Sequence, residues 1–328
     1  MRHDTINFME PLSRISTHAP QDGTLSVVLH ESGEDNFINH PKSITGKHSL
    51  YEIGSITKVF TAIALLILEH EEKIRRHDTL EVCLPEVNFS DSRVAGVTLV
   101  QLTSHTSGLP KLPDNMNPEN SDDPYADYTE DDLYQFLSRY ELENADKTTV
   151  SYSNLGYGLL GHILARADGG TLGELLEERI LAPLGMKSSY ILTPSDKPGK
   201  LMPGHTNNGK PVSNWHLGVF AGAGGIVSNA ADMSSFLQAQ LYPSDDLLGS
   251  ALKRSREVLA ESKNGKLQHC FGWVSCRSKA GSTVYWHNGQ TGGYQSFMGF
   301  SPEENRGFVA MANYKLDLDK LGIEYFGL

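Results

Sequence analysis

An almost unbroken apolar run, Val59-Phe60-Thr61-Ala62-Ile63-Ala64-Leu65-Leu66-Ile67-Leu68, constrains this chain more than any other segment. It is too short to cross a membrane and long enough for a helix. A helix that is apolar all round is buried inside protein. Directly before the run stand Gly54-Ser55-Ile56-Thr57-Lys58. The spacing predicts Ser55 in the first turn of the helix and Lys58 one turn later on the same face. A serine hydroxyl is a weak nucleophile until its proton is taken. An ammonium held in a poorly solvated pocket can lose its charge and help take it. The helix N-terminus stabilises negative charge developing near Ser55. The arrangement points to acyl transfer through a serine ester.

A Ser-x-x-Lys spacing alone is weak. Ser250-Ala251-Leu252-Lys253 repeats it, also after a glycine, and continues into Arg254-Ser255-Arg256, a solvated face. The first copy needs companions. Tyr152-Ser153-Asn154 precedes Leu155–Arg166, a Gly-tolerant buried helix expected to end at Asp168-Gly169-Gly170. A tyrosine at a loop-helix junction can point its hydroxyl into a cleft. With a reference pKa of about 10, it needs a cation beside it to act as a base at neutral pH. Lys58 is the candidate cation, each group expected to lower the other's pKa. The third element, His287-Asn288-Gly289-Gln290-Thr291-Gly292-Gly293-Tyr294, lies between two strand-like runs, Ser282–Trp286 and Tyr294–Phe300. Its glycines mark close approach of another backbone or a ligand. A substrate docking there would use a free strand edge. His216-Leu217-Gly218 matches His-x-Gly but lacks the Thr-Gly-Gly that follows.

The order Ser-x-x-Lys, Tyr-x-Asn, His-x-Gly resembles the serine β-lactamase and penicillin-binding-protein family, in its branch of class C β-lactamases, DD-peptidases and related esterases. Tyr51–Thr61 is similar to that family's nucleophile segment, Val100–Leu109 to its "LLxHTSGL" segment, and Ala221–Met233 to its "AGGLxSTxxDL" segment. The resemblance spans roughly residues 24–314. It implies that Ser55 attacks a carbonyl, and that Lys58 and Tyr152 together remove and deliver the proton. It also implies an oxyanion hole from the backbone N–H groups of Ser55 and Gln290, just after Gly289. Asn154 would bind the acyl side chain and help position Lys58. Class C β-lactamases usually carry Lys-Thr-Gly where this chain has His287-Asn288-Gly289. A histidine titrates near neutrality, so the expected carboxylate anchor is weaker and pH-dependent.

At 328 residues the chain allows one large or two ordinary domains. A strand at Leu25–His30, one near Asn36–Asn39, and short strands from Phe271 to Met311 predict an antiparallel sheet. Helical patterns at Thr129–Leu137 and Thr171–Leu181 lie between, with a short closing helix at Leu316–Phe326. The expected fold is α+β: an antiparallel sheet flanked by helices, built from residues 1–71 and 226–328, with a mostly helical lobe inserted over residues 72–225 and the site in the cleft. The resemblance implies the same architecture.

A net charge of −12 argues against nucleic acid or an anionic membrane as partner. The thirteen histidines show no metal signature, and three cysteines set no disulfide framework, so neither metal nor cofactor is expected. The first ten residues carry no apolar signal core, and cytoplasmic location is the default expectation. With that location, an esterase or amidase acting on a small-molecule ester, amide or β-lactam is expected. The other readings are a class C-type β-lactamase or D-amino-acid peptidase, a biosynthetic acyltransferase, and a non-catalytic binding protein on the same scaffold. Intact Ser55, Lys58 and Tyr152 argue against the last.

Overall fold

The structure, a computed structural model, describes residues 19–143, 149–196 and 201–328. Strand β1 (Leu25–Glu31) alternates its side chains across a sheet that is covered on both faces. Leu25, Val27 and Leu29 join Phe297, Phe308 and Ala310 in one apolar cluster, while Val28 joins Val309, Met298 and Met311 in the main core. The hairpin partner β2 (Glu34–His40) is polar and takes the sheet edge.

Strands β3 (Leu50–Glu52), β4 (Tyr190–Ile191) and β5 (Ile226–Asn229) form a small second sheet in the order β3-β5-β4. The large sheet is completed by β6 (Ala260–Glu261), β7 (Gln268–His269), β8 (Val274–Arg277), β9 (Thr283–Gln290), β10 (Gln295–Ser301) and β11 (Arg306–Ala312). Its order is β2-β1-β11-β10-β9-β8-β7-β6, antiparallel throughout. The first hairpin therefore pairs with the last strand, Leu25 opposite Ala312.

The longer helices are α1 (Thr57–His70), α2 (Glu130–Arg139), α3 (Asn154–Asp168), α4 (Ala230–Leu241), α5 (Leu247–Arg254) and α6 (Leu318–Phe326). Every residue of α1 from Thr57 to Leu68 is buried, as its composition requires. α3 and the short turn Ala221–Gly224 pack against α1, and so does α5. Helix α6 covers the opposite face of the sheet, against β10 and β11. Truncating a side chain such as Leu66 would cost about 2–5 kcal/mol through the cavity left behind.

Local chemistry sets the helix ends near the site. Helix α3 is capped by Ser153, whose Oγ accepts from the Gly156 N–H at 2.9 Å. It ends at Gly169, whose φ of +83° suits a left-handed C-terminal cap. Helix α2 begins with a capping box between Thr129 and Asp132. The second expected helix, from Thr171, runs only over Leu172–Leu176 before widening into a π-turn at Glu177–Leu181.

Two expectations shift. Ser55 lies not in α1 but in a 3₁₀ turn, Gly54–Ile56, that joins β3 to α1. The chain enters that turn through Gly54 at φ +50°. The third element, placed between two strand-like runs, is itself strand as far as Gln290, because its Cα partners on β10 continue to Gln290↔Gln295.

Candidate active site

Ser55 sits half-buried where β3, α1, α3 and β9 converge. Its Oγ lies 2.9 Å from Lys58 Nζ and 2.7 Å from Tyr152 Oη. Lys58 Nζ also donates to Asn154 Oδ1 at 3.0 Å and to the Ala223 carbonyl at 2.6 Å. All three neighbours are neutral, and the side chain is fully buried. Burial, and then the charge of Lys111, hold the amine well below its ordinary pKa. Tyr152 is 40% exposed overall. Burial around its hydroxyl nevertheless pushes the phenol up to about 12, against the opposing hydrogen bond to Ser55. The expectation that Lys58 and Tyr152 lower each other's pKa is corrected here. Desolvation dominates both, lowering the amine and raising the phenol on either side of Ser55.

His287 requires a larger correction. Its ring is buried, with its centroid 6.5 Å from that of Tyr152. Nδ1 donates to the Asn288 carbonyl at 2.6 Å. Burial, and then the charge of Lys58, lower its pKa to about 3. It is therefore neutral near pH 7 and offers no titrating cation to a substrate carboxylate.

The glycines of the third element do separate jobs. A Cβ on Gly289 would overlap the Ile53 carbonyl oxygen and Ser296 Oγ, the latter already donating to that carbonyl at 2.7 Å. A Cβ on Gly54 would lie 2.7 Å from the Gln290 backbone nitrogen. Two glycines thus let β9 press against the turn that carries Ser55, which brings the Gln290 backbone alongside it. On its other side, the β8 ladder stops at Val274↔Trp286. From His287 to Gln290, β9 is paired with β10 alone, and this edge faces the site. Gly292 and Gly293 make room for protein rather than ligand, the first for the Trp215 indole and the second for Gly204 and Val212.

The cleft beside Ser55 is shallow, with an enclosed cavity of about 20 Å³ that opens to solvent. Its lining is Ser55, Tyr125, Asn154, Trp215, Leu217, Ala223, Gly224, Gln290 and Thr291, none of them charged. No motif singles out Tyr125 or Trp215, which reach the cleft from irregular segments, nor the Ala223 carbonyl, which no side chain announces. His105 lay within a segment singled out for its resemblance, but without a role; its ring packs 4.5 Å from that of Tyr152. The competing motifs fall elsewhere. Ser250 and Lys253 are exposed on α5, with Lys253 3.1 Å from Asp245. His216 Nδ1 lies 2.7 Å from Asp123 Oδ2. Among the described residues no group of three or more His, Cys, Asp or Glu could hold a metal ion. No helix among them is long and apolar enough to cross a membrane.

The family profile described as Beta-lactamase matches residues 36–322. The chain belongs to the beta-lactamase family. As a member it is an enzyme, a serine hydrolase of the β-lactamase-like kind. It is 28% identical over 284 residues to the D-alanyl-D-alanine-carboxypeptidase/endopeptidase AmpH of Escherichia coli K12, covering 82% of this chain and 72% of that protein. It is 23% identical to a beta-lactamase of Pseudomonas fluorescens, covering 88% of each. The class C beta lactamase structure from Rhodobacter sphaeroides shares its fold, with a TM-score of 0.81 at 20% identity over 98% of this chain and 97% of that one.

Proposed function

We propose that this family member hydrolyses small uncharged esters and amides through an acyl-enzyme on Ser55. The observation that carries the reading is the uncharged cleft, with a neutral His287 where a permanent cation would otherwise hold a carboxylate.

The proton path follows from the bonds around Lys58. Two N–H groups of a neutral amine are taken by Asn154 Oδ1 and Ala223 O, which leaves the lone pair for the proton of Ser55. Ser55 Oγ attacks the carbonyl carbon as Lys58 Nζ takes its proton. The oxyanion meets the backbone N–H groups of Ser55 and Gln290; one such donor is typically worth roughly 10²–10³ in rate. As the carbonyl re-forms, the leaving oxygen or nitrogen receives a proton from Tyr152, and the proton held by Lys58 restores the phenol. Water then attacks the ester, gives a proton to the same pair, and Ser55 regains its hydrogen. Asn154 acts twice, orienting Lys58 and facing the acyl group.

The relatives favour a second reading. Their names are those of a D-alanyl-D-alanine-carboxypeptidase/endopeptidase and a beta-lactamase, which makes D-amino-acid peptides and β-lactams the competing substrates. One experiment separates the two. The protein is assayed against p-nitrophenyl esters, D-amino-acid amides and nitrocefin, and a fluorophosphonate adduct is mapped by mass spectrometry. Ester or amide turnover above nitrocefin by kcat/KM, with one adduct on Ser55 that is lost in Ser55→Ala, supports the proposal. Nitrocefin hydrolysed faster than every ester and amide overturns the substrate assignment, and an adduct that survives Ser55→Ala overturns the nucleophile.

A further inference from the structure

Trp215 belongs to no helix or strand, yet it is fixed from four directions. Its backbone N–H donates to Glu52 Oε1 at 3.1 Å, and the same carboxylate oxygen accepts from Asn214 Nδ2 at 2.7 Å. Glu52 is itself buried at the end of β3, three residues before Ser55. The indole Nε1 donates to the Asp122 carbonyl at 2.9 Å. The ring meets Tyr125 edge-on, with centroids 5.2 Å apart, and rests on Gly292, where a Cβ would lie 2.8 Å from Nε1. The next residue is pinned as well, since the His216 N–H and Nδ1 both bond Asp123. Tyr125, the partner ring, is buried and lines the same cleft as Asn154, the residue that also holds Lys58. The wall is thus tied through Glu52 to the Ser55 turn, and Tyr125 braces it from the cleft it shares with Asn154.

We infer that Trp215, braced by Tyr125 and Glu52, is the wall that limits the acyl group to a few carbons, making the preferred substrates short-chain acyl esters. This rests on the serine-hydrolase reading above and specifies its substrate. The enclosed cavity beside Ser55 is small, about 20 Å³, which is room for roughly one water beyond the open mouth of the cleft. A flexible side chain could swing aside for a longer substrate. This indole has its backbone, its ring nitrogen and two faces of contact already committed, so a longer chain meets a fixed surface.

The test is a chain-length series on the full protein: p-nitrophenyl acetate, butyrate and octanoate, for wild type, Trp215→Phe and Trp215→Ala. The octanoate-to-acetate ratio of kcat/KM should rise from wild type to Trp215→Phe to Trp215→Ala. The last step should amount to about tenfold or more, the scale on which methylene-sized differences in an apolar pocket are felt. Trp215→Phe retains an aromatic edge for Tyr125 and carries the test if circular dichroism shows Trp215→Ala unfolded. Each protein is also treated with a short-chain fluorophosphonate and its adduct mapped. A Ser55 adduct together with an unchanged ratio overturns the wall alone. No Ser55 adduct in wild type overturns the serine reading and the wall with it.

Discussion

His105 grips the backbone on both sides of Tyr152. Its carbonyl accepts the Ser151 N–H at 2.8 Å, its Nδ1 accepts the Ser153 N–H at 3.1 Å, and its ring packs against the tyrosine ring. It does so at φ +59°, a conformation that a non-glycine residue holds only when its surroundings enforce it. His105 is thus a positioning residue for the phenol. His105→Phe keeps a ring but leaves the buried Ser153 N–H without its acceptor. The expected loss in kcat is about tenfold, equivalent to roughly 1.4 kcal/mol, with KM little changed. In a Tyr152→Phe background the same substitution should add almost nothing. Fully additive losses in steady-state kinetics would show that His105 does not act through Tyr152.

Lys58 makes a prediction about pH. With a neutral amine as the base, as proposed, kcat/KM should fall on acidification as Nζ takes up a proton. Lys58→Met should lose about 10²–10⁴ in rate, and its residual activity should lack that acid limb. Stability carries the same signature with a definite sign. The amine's pKa is lowered in the folded chain and about 10.4 in the unfolded one. Between those values the unfolded chain binds the extra proton, so wild-type stability rises with pH across the window, and below the folded value the full penalty applies. Urea melts at several pH values should show this rise in wild type and its absence in Lys58→Met. Parallel curves for the two proteins would mean that Lys58 stays charged when folded.

His287 should be silent where histidines usually titrate. With its pKa lowered from 6.5 to about 3, it favours the folded state above pH 6.5, and that contribution drains away as the pH falls toward 3. Its ring resonance in histidine-labelled protein, assigned by loss in His287→Gln, should not move between about pH 5 and 8. A midpoint near 6.5 would restore the titrating anchor and reopen the case for carboxylate-bearing substrates.

The reading from residues succeeded where local period, spacing or motif order carried the signal. The buried α1, the pairing of Ser55 with Lys58, the arrival of Tyr152 at a helix start, and the sheet made from both ends of the chain were all legible, because each follows from local period and spacing. Protonation was not legible. The sequence puts a lysine, a tyrosine and a histidine near one serine, but it does not say how much water the fold leaves them. Desolvation decides all three: it reversed the expected direction for Tyr152 and moved His287 out of the neutral range where it was expected to titrate. Trp215 and Tyr125 were missed because irregular segments bring them to the cleft, where long-range bonds to Glu52 and Asp122 hold Trp215 against the Tyr125 ring.

Gly289 offers the sharpest test of how the Gln290 N–H is aimed. A methyl group at Gly289 overlaps the Ile53 carbonyl and Ser296 Oγ, and neither is the free end of a flexible side chain. Gly289→Ala must therefore push β9 away from the Ser55 turn and carry the Gln290 N–H with it. The rate should fall by about 10²–10³, the loss typical of one oxyanion donor. Stability should fall by roughly 1–3 kcal/mol, as for an overpacked core. Ser55, Lys58 and Tyr152 are all retained, so a small fluorophosphonate should still modify Ser55, only more slowly. Gly46→Ala is the control, since a Cβ there meets nothing within 4 Å and its φ is ordinary; kinetics and thermal unfolding for that variant should match wild type. Should Gly289→Ala keep full ester turnover while losing stability, β9 would be a packing strand only, and the oxyanion would have to find its second donor elsewhere.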